Sequence, residues 1–189
     1  EEQLDEQRRL LPPEQFQRLW MNLWSSGSGD GLNPIWLADA LTNANGKPWL
    51  SGPHPGPLSH CVYATGLDCG WRSDHSALVV VAGNLQTRKF ELAECLSWDP
   101  RDYGGELPLA IVKQACREVH QRFHLECLCF DDTGFIEGGQ ELASSGLPMC
   151  RFMKELPSAQ TSRCRLLLDV FRQRGIHLYD TEPSAKVLL

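Results

Sequence analysis

Residues 66–81, GLDCGWRSDHSALVVV, join a polar, glycine-bounded turn to an apolar run rich in β-branched residues. The run HSALVVV predicts a strand, and CVYATGLD before the turn predicts the strand that precedes it. Two aspartates, Asp68 and Asp74, lie at this turn. Because an Asp beside Gly at a strand end is most often a turn former, the stretch by itself predicts only a charged hairpin.

The composition is that of a soluble globular protein. The chain has 189 residues, enough for one good-sized domain with an appendage. No apolar run approaches the roughly 18–20 residues that span a bilayer, so no membrane segment is expected. The net charge of −6 argues against a broadly basic nucleic-acid coat. It does not exclude a nuclease, because an acidic metal site adds negative charge.

Eight cysteines are present, and none forms a C-x-x-C pair. A structural zinc site needs closely spaced ligand pairs, so the sequence does not predict one. Several of the cysteines lie in apolar runs, where a free thiol behaves as a small hydrophobic side chain. The pattern therefore favours reduced thiols in a cytosolic protein.

The first 58 residues predict an N-terminal arm rather than a domain of its own. Residues 1–24 have helical spacing, 25–31 read as a Gly/Ser linker, and PIWLADAL predicts a short helix. The chain opens in helical character without a methionine and stops within an apolar stretch. We therefore expect a fragment of a longer polypeptide.

From residue 59 onward the pattern predicts a second unit, 59–189. Three successive strands with short connections predict an antiparallel meander. Alternating helices and strands follow, predicted as a helix at 107–123, a strand at 125–130, a turn at 131–135, a helix around 137–144, a strand at 148–153, a helix at 161–175 and a strand at 176–179. The order β-β-β-α-β-α-β-α-β predicts an α/β fold with a mixed sheet flanked by helices, the ribonuclease H-like layout.

The acidic residues fall at strand ends in this layout. Asp68 ends the first strand, and Asp131 and Asp132 follow the fourth, 63 residues later. If those strands are neighbours, the carboxylates converge and repel unless a cation lies between them. Mg²⁺ prefers such oxygen ligands, and two ions about 3.5–4 Å apart would suit phosphodiester hydrolysis. The alternative is that each acid only forms a turn or, for Asp74, caps one.

Three segments resemble the large subunit of tailed-phage terminase, the DNA-packaging motor. LPPEQFQRLWMNLWSSG (11–27) is similar to the connector that follows the family's ATPase domain. GLDCGWRSDHSALVVV (66–81) resembles its first nuclease strand, with G-x-D and a second Asp six residues on. CFDDTGFIEGGQEL (129–142) is similar to its D-P-T-G-x-G turn, with Asp132 where Pro is common.

The resemblance implies a metal-dependent endonuclease that cuts concatemeric double-stranded viral DNA. Asp68 and Asp131 would be the catalytic metal ligands, Asp74 and Asp132 would lie beside the metal, and two Mg²⁺ or Mn²⁺ ions would be bound. The family's third catalytic acid lies beyond the point where this chain stops, and Asp180 is a poor substitute for it. The implied location is the host cytoplasm.

The resemblance also implies partners. They are double-stranded DNA, an upstream ATPase domain on the same polypeptide, the terminase small subunit and the capsid portal. This chain has no G-x-x-x-x-G-K-[ST] phosphate loop, so we expect no ATP binding by it. The region 151–174 is locally basic, and Lys154, Arg163 and Arg165 are candidate DNA contacts, although a solvated helix face would have the same composition.

Two other functions stay open at the level of sequence. Actin-like and sugar-kinase ATPases also begin with a G-x-D-x-G strand and turn, which GLDCG fits. Their turn usually continues with Thr or Ser, whereas Trp71 and Arg72 follow here. The second alternative is a non-catalytic ribonuclease H-like module for DNA binding or assembly, in which the acids only form turns.

Overall fold

The computed structural model of the chain describes residues 32–72, 74–152 and 157–180. The helices predicted within 1–24 and the linker at 25–31 lie outside these residues. The described elements are α1 (Pro34–Leu41), β1 (Cys61–Asp68), β2 (Ser76–Asn84), β3 (Lys89–Trp98), a 3₁₀ helix (Pro100–Tyr103), α2 (Leu109–Phe123), β4 (Cys127–Asp131), α3 (Asp132–Ser144), β5 (Met149–Phe152), α4 (Pro157–Arg172) and β6 (Ile176–His177).

The strands form one six-stranded mixed sheet in the order β5-β4-β1-β2-β3-β6. Strands β1, β2 and β3 are the predicted antiparallel meander. Strand β4 pairs in parallel with β1, β5 in parallel with β4, and β6 in parallel with β3. Because parallel neighbours need crossover connections, helices link these later strands. The predicted α/β fold with a mixed sheet is confirmed.

One face of the sheet carries the hydrophobic core. The buried residues alternate along β1 and β2 with the strand period of two, as in Leu67 and Leu78. Helix α2 contributes Val112, Val119 and Phe123 at helical spacing. Burial of each large apolar side chain contributes about 1.5–3 kcal/mol, so this face supplies most of the stability of the fold.

The opposite face of the sheet is far less covered around β1, β2 and β4. Its residues are small: Gly66 is exposed, and Ala77, Val79 and Cys129 are only half-buried. Register explains why they share a face, since Gly66 pairs with Val79 on one side and with Cys129 on the other. Small side chains leave this surface as a shallow depression, which matters for the site described below.

A second, smaller apolar cluster joins α1, the end of α4 and β6. Its buried members are Ala40, Phe171 and Ile176. Asn33 caps α1 by accepting a hydrogen bond from the Ile35 amide at 2.8 Å. The short helix predicted at PIWLADAL is therefore confirmed, and it packs against the far edge of the sheet.

Three helix starts differ from the sequence prediction, and the smallest difference is in α2, which begins at Leu109 rather than at 107. Helix α3 begins at Asp132, directly after β4, where the sequence predicts a turn over 131–135. Gly134, with φ +85°, supplies the change of direction inside the first helical residues, so no separate turn is needed. Helix α4 begins at Pro157 rather than at 161, because Pro suits a first helical turn. Within the described ranges, no helix is both long and apolar enough to cross a bilayer.

Candidate functional site

Asp68 and Asp131 end two neighbouring parallel strands, β1 and β4. The register aligns Leu67 with Phe130, so the next residue along each strand brings the two aspartates side by side. Leu67 and Phe130 are buried in the core, and alternation turns the following side chains to the open face. Adjacent strands lie about 4.7–4.9 Å apart, a spacing at which two carboxylates can share one cation.

The two aspartates line a cleft of about 420 Å³ on the open face. Gly66, Ala77 and Val79 contribute to the cleft from β1 and β2, and Phe152 borders it from β5. An added β-carbon at Gly66 would meet no atom within 4 Å, which shows how open this surface is. Among the residues that the structure describes, Asp68 and Asp131 are the carboxylates that line this cleft.

The loop after β1 is closed by a buried hydroxyl. Ser76 is fully buried; its Oγ donates to the Gly70 carbonyl at 2.9 Å and accepts from the Gly70 amide at 3.1 Å. The same loop brings Trp71 against α3, where its ring stacks on Phe135 with centroids 6.3 Å apart. These contacts fix the backbone immediately after Asp68.

The field of both carboxylates reaches the thiol of Cys69. Burial raises the pKa of Cys69 to about 12, and Cys116, Asp68 and Asp131 add to the rise. The two aspartates are thus close enough to the Cys69 thiol for both to raise its pKa.

Asp68 and Asp131 together offer a pair of hard oxygen donors on the open face of the sheet. By ligand type, such a pair fits Mg²⁺ or Mn²⁺.

The described lining of this cleft does not include the other two predicted acids, Asp74 and Asp132. Asp74 lines an adjoining depression of about 490 Å³ together with Arg72 and Glu106. The structure describes the backbone of Asp132 as the first residue of α3, but not its side chain. Among the described side chains of the four predicted metal residues, those of Asp68 and Asp131 line one cleft.

Asp180 is exposed and follows β6. Strand β6 lies three strands from β1 in the sheet order, which corresponds to about 14 Å. Asp180 therefore lies too far away to join the acidic pair.

One of the predicted DNA-contacting residues lies beside the cleft. The Arg163 guanidinium stacks over the Phe152 ring at 4.5 Å, and Phe152 pairs with Asp131 in the β4–β5 register. Arg165 is exposed on the same helix, α4. Lys154 lies outside the described residues. A positive charge at the rim next to the acids is an arrangement that suits a phosphate chain.

The sequence did not predict a group of three cysteines on the same face. The Sγ atoms of Cys127, Cys129 and Cys150 all lie within 4.8 Å of one another. Burial, followed by hydrogen bonds from the other two thiols, raises the pKa of Cys127 to about 12. Alternation of Cys127 and Cys129 along a strand was visible in the sequence, but the approach of Cys150 depends on the β4–β5 register.

The strand order and the crossover helices define the ribonuclease H-like class of α/β folds. Within that class, the fold is similar to that of large terminase nuclease domains. The structure is similar to the HK97 bacteriophage large terminase, with TM-score 0.61 and 14% identity, covering 96% of this chain and 41% of that one. It is also similar to the large terminase nuclease from thermophilic phage G20c with bound magnesium, with TM-score 0.55 and 13% identity, covering 74% and 72%.

A third similar structure is a large terminase from a thermophilic bacteriophage in complex with ATP-gamma-S. Its TM-score is 0.57 at 12% identity, covering 95% of this chain and 41% of that one. The chain thus spans about two fifths of the full-length large terminases that it matches. At these identities the similarity establishes the fold. No protein-family model matches the sequence, and no curated protein matches it significantly.

Proposed function

We propose that the chain is the metal-dependent DNA endonuclease domain of a phage large terminase. The observation that carries this proposal is that Asp68 and Asp131 directly follow the paired residues Leu67 and Phe130 on adjacent parallel strands and line one open cleft. The magnesium bound in the G20c nuclease of the same fold supports the choice of cation. The site would hold two Mg²⁺ or Mn²⁺ ions with Asp68 and Asp131 as ligands, and with Asp74 and Asp132 beside them.

Bound ions would supply the charge that activates a water and stabilises the departing 3′ oxygen of the cleaved strand. The chain's own residues do the rest. Asp68 and Asp131 hold the charge at one place, and the small residues beneath them leave room for a phosphate. Arg163, stacked on Phe152, contacts the backbone of double-stranded DNA, and Arg165 and Lys154 extend that contact.

We further propose that residues 1–58 connect this domain to an upstream ATPase domain. The similarity to full-length large terminases, one of them in complex with ATP-gamma-S, supports a place within a longer protein. The chain lacks a phosphate loop, so ATP hydrolysis would belong to that other domain. The terminase small subunit and the capsid portal would be its assembly partners in the host cytoplasm.

Nicking of supercoiled plasmid by the full chain, in Mn²⁺ or Mg²⁺, tests the proposal. Asp68→Asn and Asp131→Asn should each lower the rate of nicking by at least about 100-fold. Replacement of a residue that only hydrogen-bonds to a metal ligand already lowers activity by about 10–100-fold. Asp102→Asn is the matched control, because Asp102 is an exposed acid on the 3₁₀ helix. It should cut at the wild-type rate.

Equal cutting by wild type and both Asn variants would overturn the assignment to these residues. Cutting that persists after removal of divalent ions with a chelator would overturn the metal dependence. If the chain needs the third acid to cut, the same three variants are compared for Mn²⁺ binding by calorimetry. Loss of binding in Asp68→Asn and Asp131→Asn, with retention in Asp102→Asn, is then the supporting result.

A further inference from the structure

Three cysteine side chains come together on the open face of the sheet beside the acidic pair, and one of them, Cys129, also lines the cleft that holds the pair. Cys127 and Cys129 are two residues apart on β4, and Cys150 pairs with Cys129 across to β5. The Cys127 and Cys129 sulfurs are 3.5 Å apart, and all three sulfurs lie within 4.8 Å of each other. Cys127 and Cys129 are half-buried and Cys150 is exposed, so the group is open to solvent.

The spacing of these sulfurs matches a metal site. Zinc–thiolate bonds are about 2.3 Å long, which places the sulfurs of a tetrahedral site about 3.8 Å apart. The observed 3.5 Å pair and the 4.8 Å limit on the group bracket that value. Small side-chain rotations therefore suffice, with no movement of the strands.

A disulfide between the nearest two sulfurs fits the backbone poorly. Residues two apart on a strand have β-carbons about 6.7 Å apart, whereas a disulfide needs about 3.5–4.5 Å. Cys127 and Cys129 can thus be bridged by an ion but not by a bond between their sulfurs. Cys129 and Cys150, on adjacent strands, are the pair for which oxidation is the competing outcome.

We propose that Cys127, Cys129 and Cys150 form a three-thiolate binding site for a thiophilic cation, and that the bound ion is Zn²⁺. Binding replaces the three S–H protons by three Zn–S bonds and releases three protons to solvent. Three protein ligands leave the fourth position of a tetrahedral zinc to water.

This site goes beyond the nuclease proposal and uses different chemistry. Thiolates select soft ions, whereas the Asp68–Asp131 pair offers hard oxygen donors for Mg²⁺ or Mn²⁺. Cys129 is two residues before Asp131 on β4, and both belong to the open face. The protein would therefore carry two cation sites of different preference, about 6.7 Å apart along one strand.

Titration of the reduced, metal-free full chain with Co²⁺ tests the site, because thiolate coordination of Co²⁺ gives intense visible and charge-transfer absorption. We expect the thiolate–cobalt absorption to saturate at one equivalent of Co²⁺, Zn²⁺ to abolish it, and excess Mg²⁺ to leave it unchanged. Cys150→Ser should weaken Co²⁺ binding by more than about 100-fold. Replacement of a residue that only hydrogen-bonds to a metal ligand already weakens metal binding by about 10–100-fold. Cys164→Ser, another exposed cysteine, should bind as the wild type does.

Cys150 lies on an exposed edge strand, so its replacement should leave the fold intact, which circular dichroism checks. Cys127→Ser gives a second variant with the same expected loss. The proposal fails if the reduced wild-type chain shows no thiolate–cobalt absorption. It fails equally if both Ser variants bind like the wild type, or if Cys129 and Cys150 form a disulfide and the reduced chain binds no Zn²⁺.

Discussion

Trp71 lies directly against Gly134, so that a β-carbon added to Gly134 would overlap the indole nitrogen. Trp71 belongs to the loop after β1, and Gly134 to the first turn of α3 after β4. The two segments that carry Asp68 and Asp131 are therefore locked to each other through this contact. Gly134 also has φ +85°, a conformation that L side chains rarely adopt.

Replacement of Gly134 should destabilise the fold for two separate reasons. Gly134→Ala costs about 1–2 kcal/mol for the left-handed backbone and a further 1–3 kcal/mol, roughly, for overpacking against Trp71. Gly146→Ala is the matched control, because Gly146 has φ +93° but no atom within 4 Å of an added β-carbon. Urea unfolding should show a clearly larger loss for Gly134→Ala. Equal losses would contradict the contact with Trp71.

The buried hydroxyl of Ser76 provides a second test of the same loop. Ser76→Ala leaves the amide and carbonyl of Gly70 without their partner, which should cost about 1–3 kcal/mol of unfolding free energy. Ser97→Ala, at a half-exposed position on β3, should change stability by less than about 0.5 kcal/mol. Thermal unfolding of both variants measures the difference, and indistinguishable melting temperatures would argue against the closing role of Ser76.

Gly66 separates the function of the cleft from the stability of the fold. Gly66→Val meets no atom at its β-carbon and adds a strand-favouring residue, so stability should hold or rise by up to about 1 kcal/mol. The added side chain fills the cleft surface beside Asp68, and plasmid nicking should fall at least about tenfold. Ala64→Val lies on the same face one pleat away, outside the cleft lining, and should keep its activity. A Gly66→Val variant that nicks normally would show that the substrate does not use this cleft.

Much of this arrangement could be predicted from the sequence. The 63-residue separation of Asp68 and Asp131 equals the offset of the β1–β4 register, because each acid ends its strand one residue after a core position. Period-two burial and the helical spacing of α2 are local signals that survive folding. The mixed sheet and the order of its elements could be predicted for the same reason.

The features that could not be predicted depend on which strands lie side by side and in which register. Cys150 reaches Cys129 only through the β4–β5 register, and neither flanking segment specifies that register. The depression lined by Asp74 arises from the fold of one loop, which Ser76 and Trp71 fix through distant contacts. The motifs indicated the candidate acids; the strand register brings Asp68 and Asp131 to one cleft, and the geometry of the loop places Asp74 in the neighbouring depression.

His177 should make stability depend on pH. Its ring stacks on Trp49 with centroids 4.3 Å apart, and burial, followed by the nearby Lys89 charge, lowers its pKa below 6.5. The folded state therefore disfavours the protonated ring, and the unfolded state binds more protons in this range. Stability from His177 is fully present above pH 6.5 and is lost as the pH falls through the folded pKa.

The test is urea unfolding between about pH 7.5 and about pH 5, the range over which histidine titrates. The wild type should lose stability as the pH falls, and His177→Gln should flatten that dependence. An unchanged pH slope in the variant would show that His177 does not carry it.

An anomalous difference map from crystals of the full chain soaked in Mn²⁺ tests the central claim most directly. We predict a peak between the carboxylates of Asp68 and Asp131, at about the 2.0–2.2 Å expected for oxygen ligands of a small divalent cation. Ordered carboxylates with no peak between them, while Mn²⁺ binds elsewhere on the chain, would contradict the account.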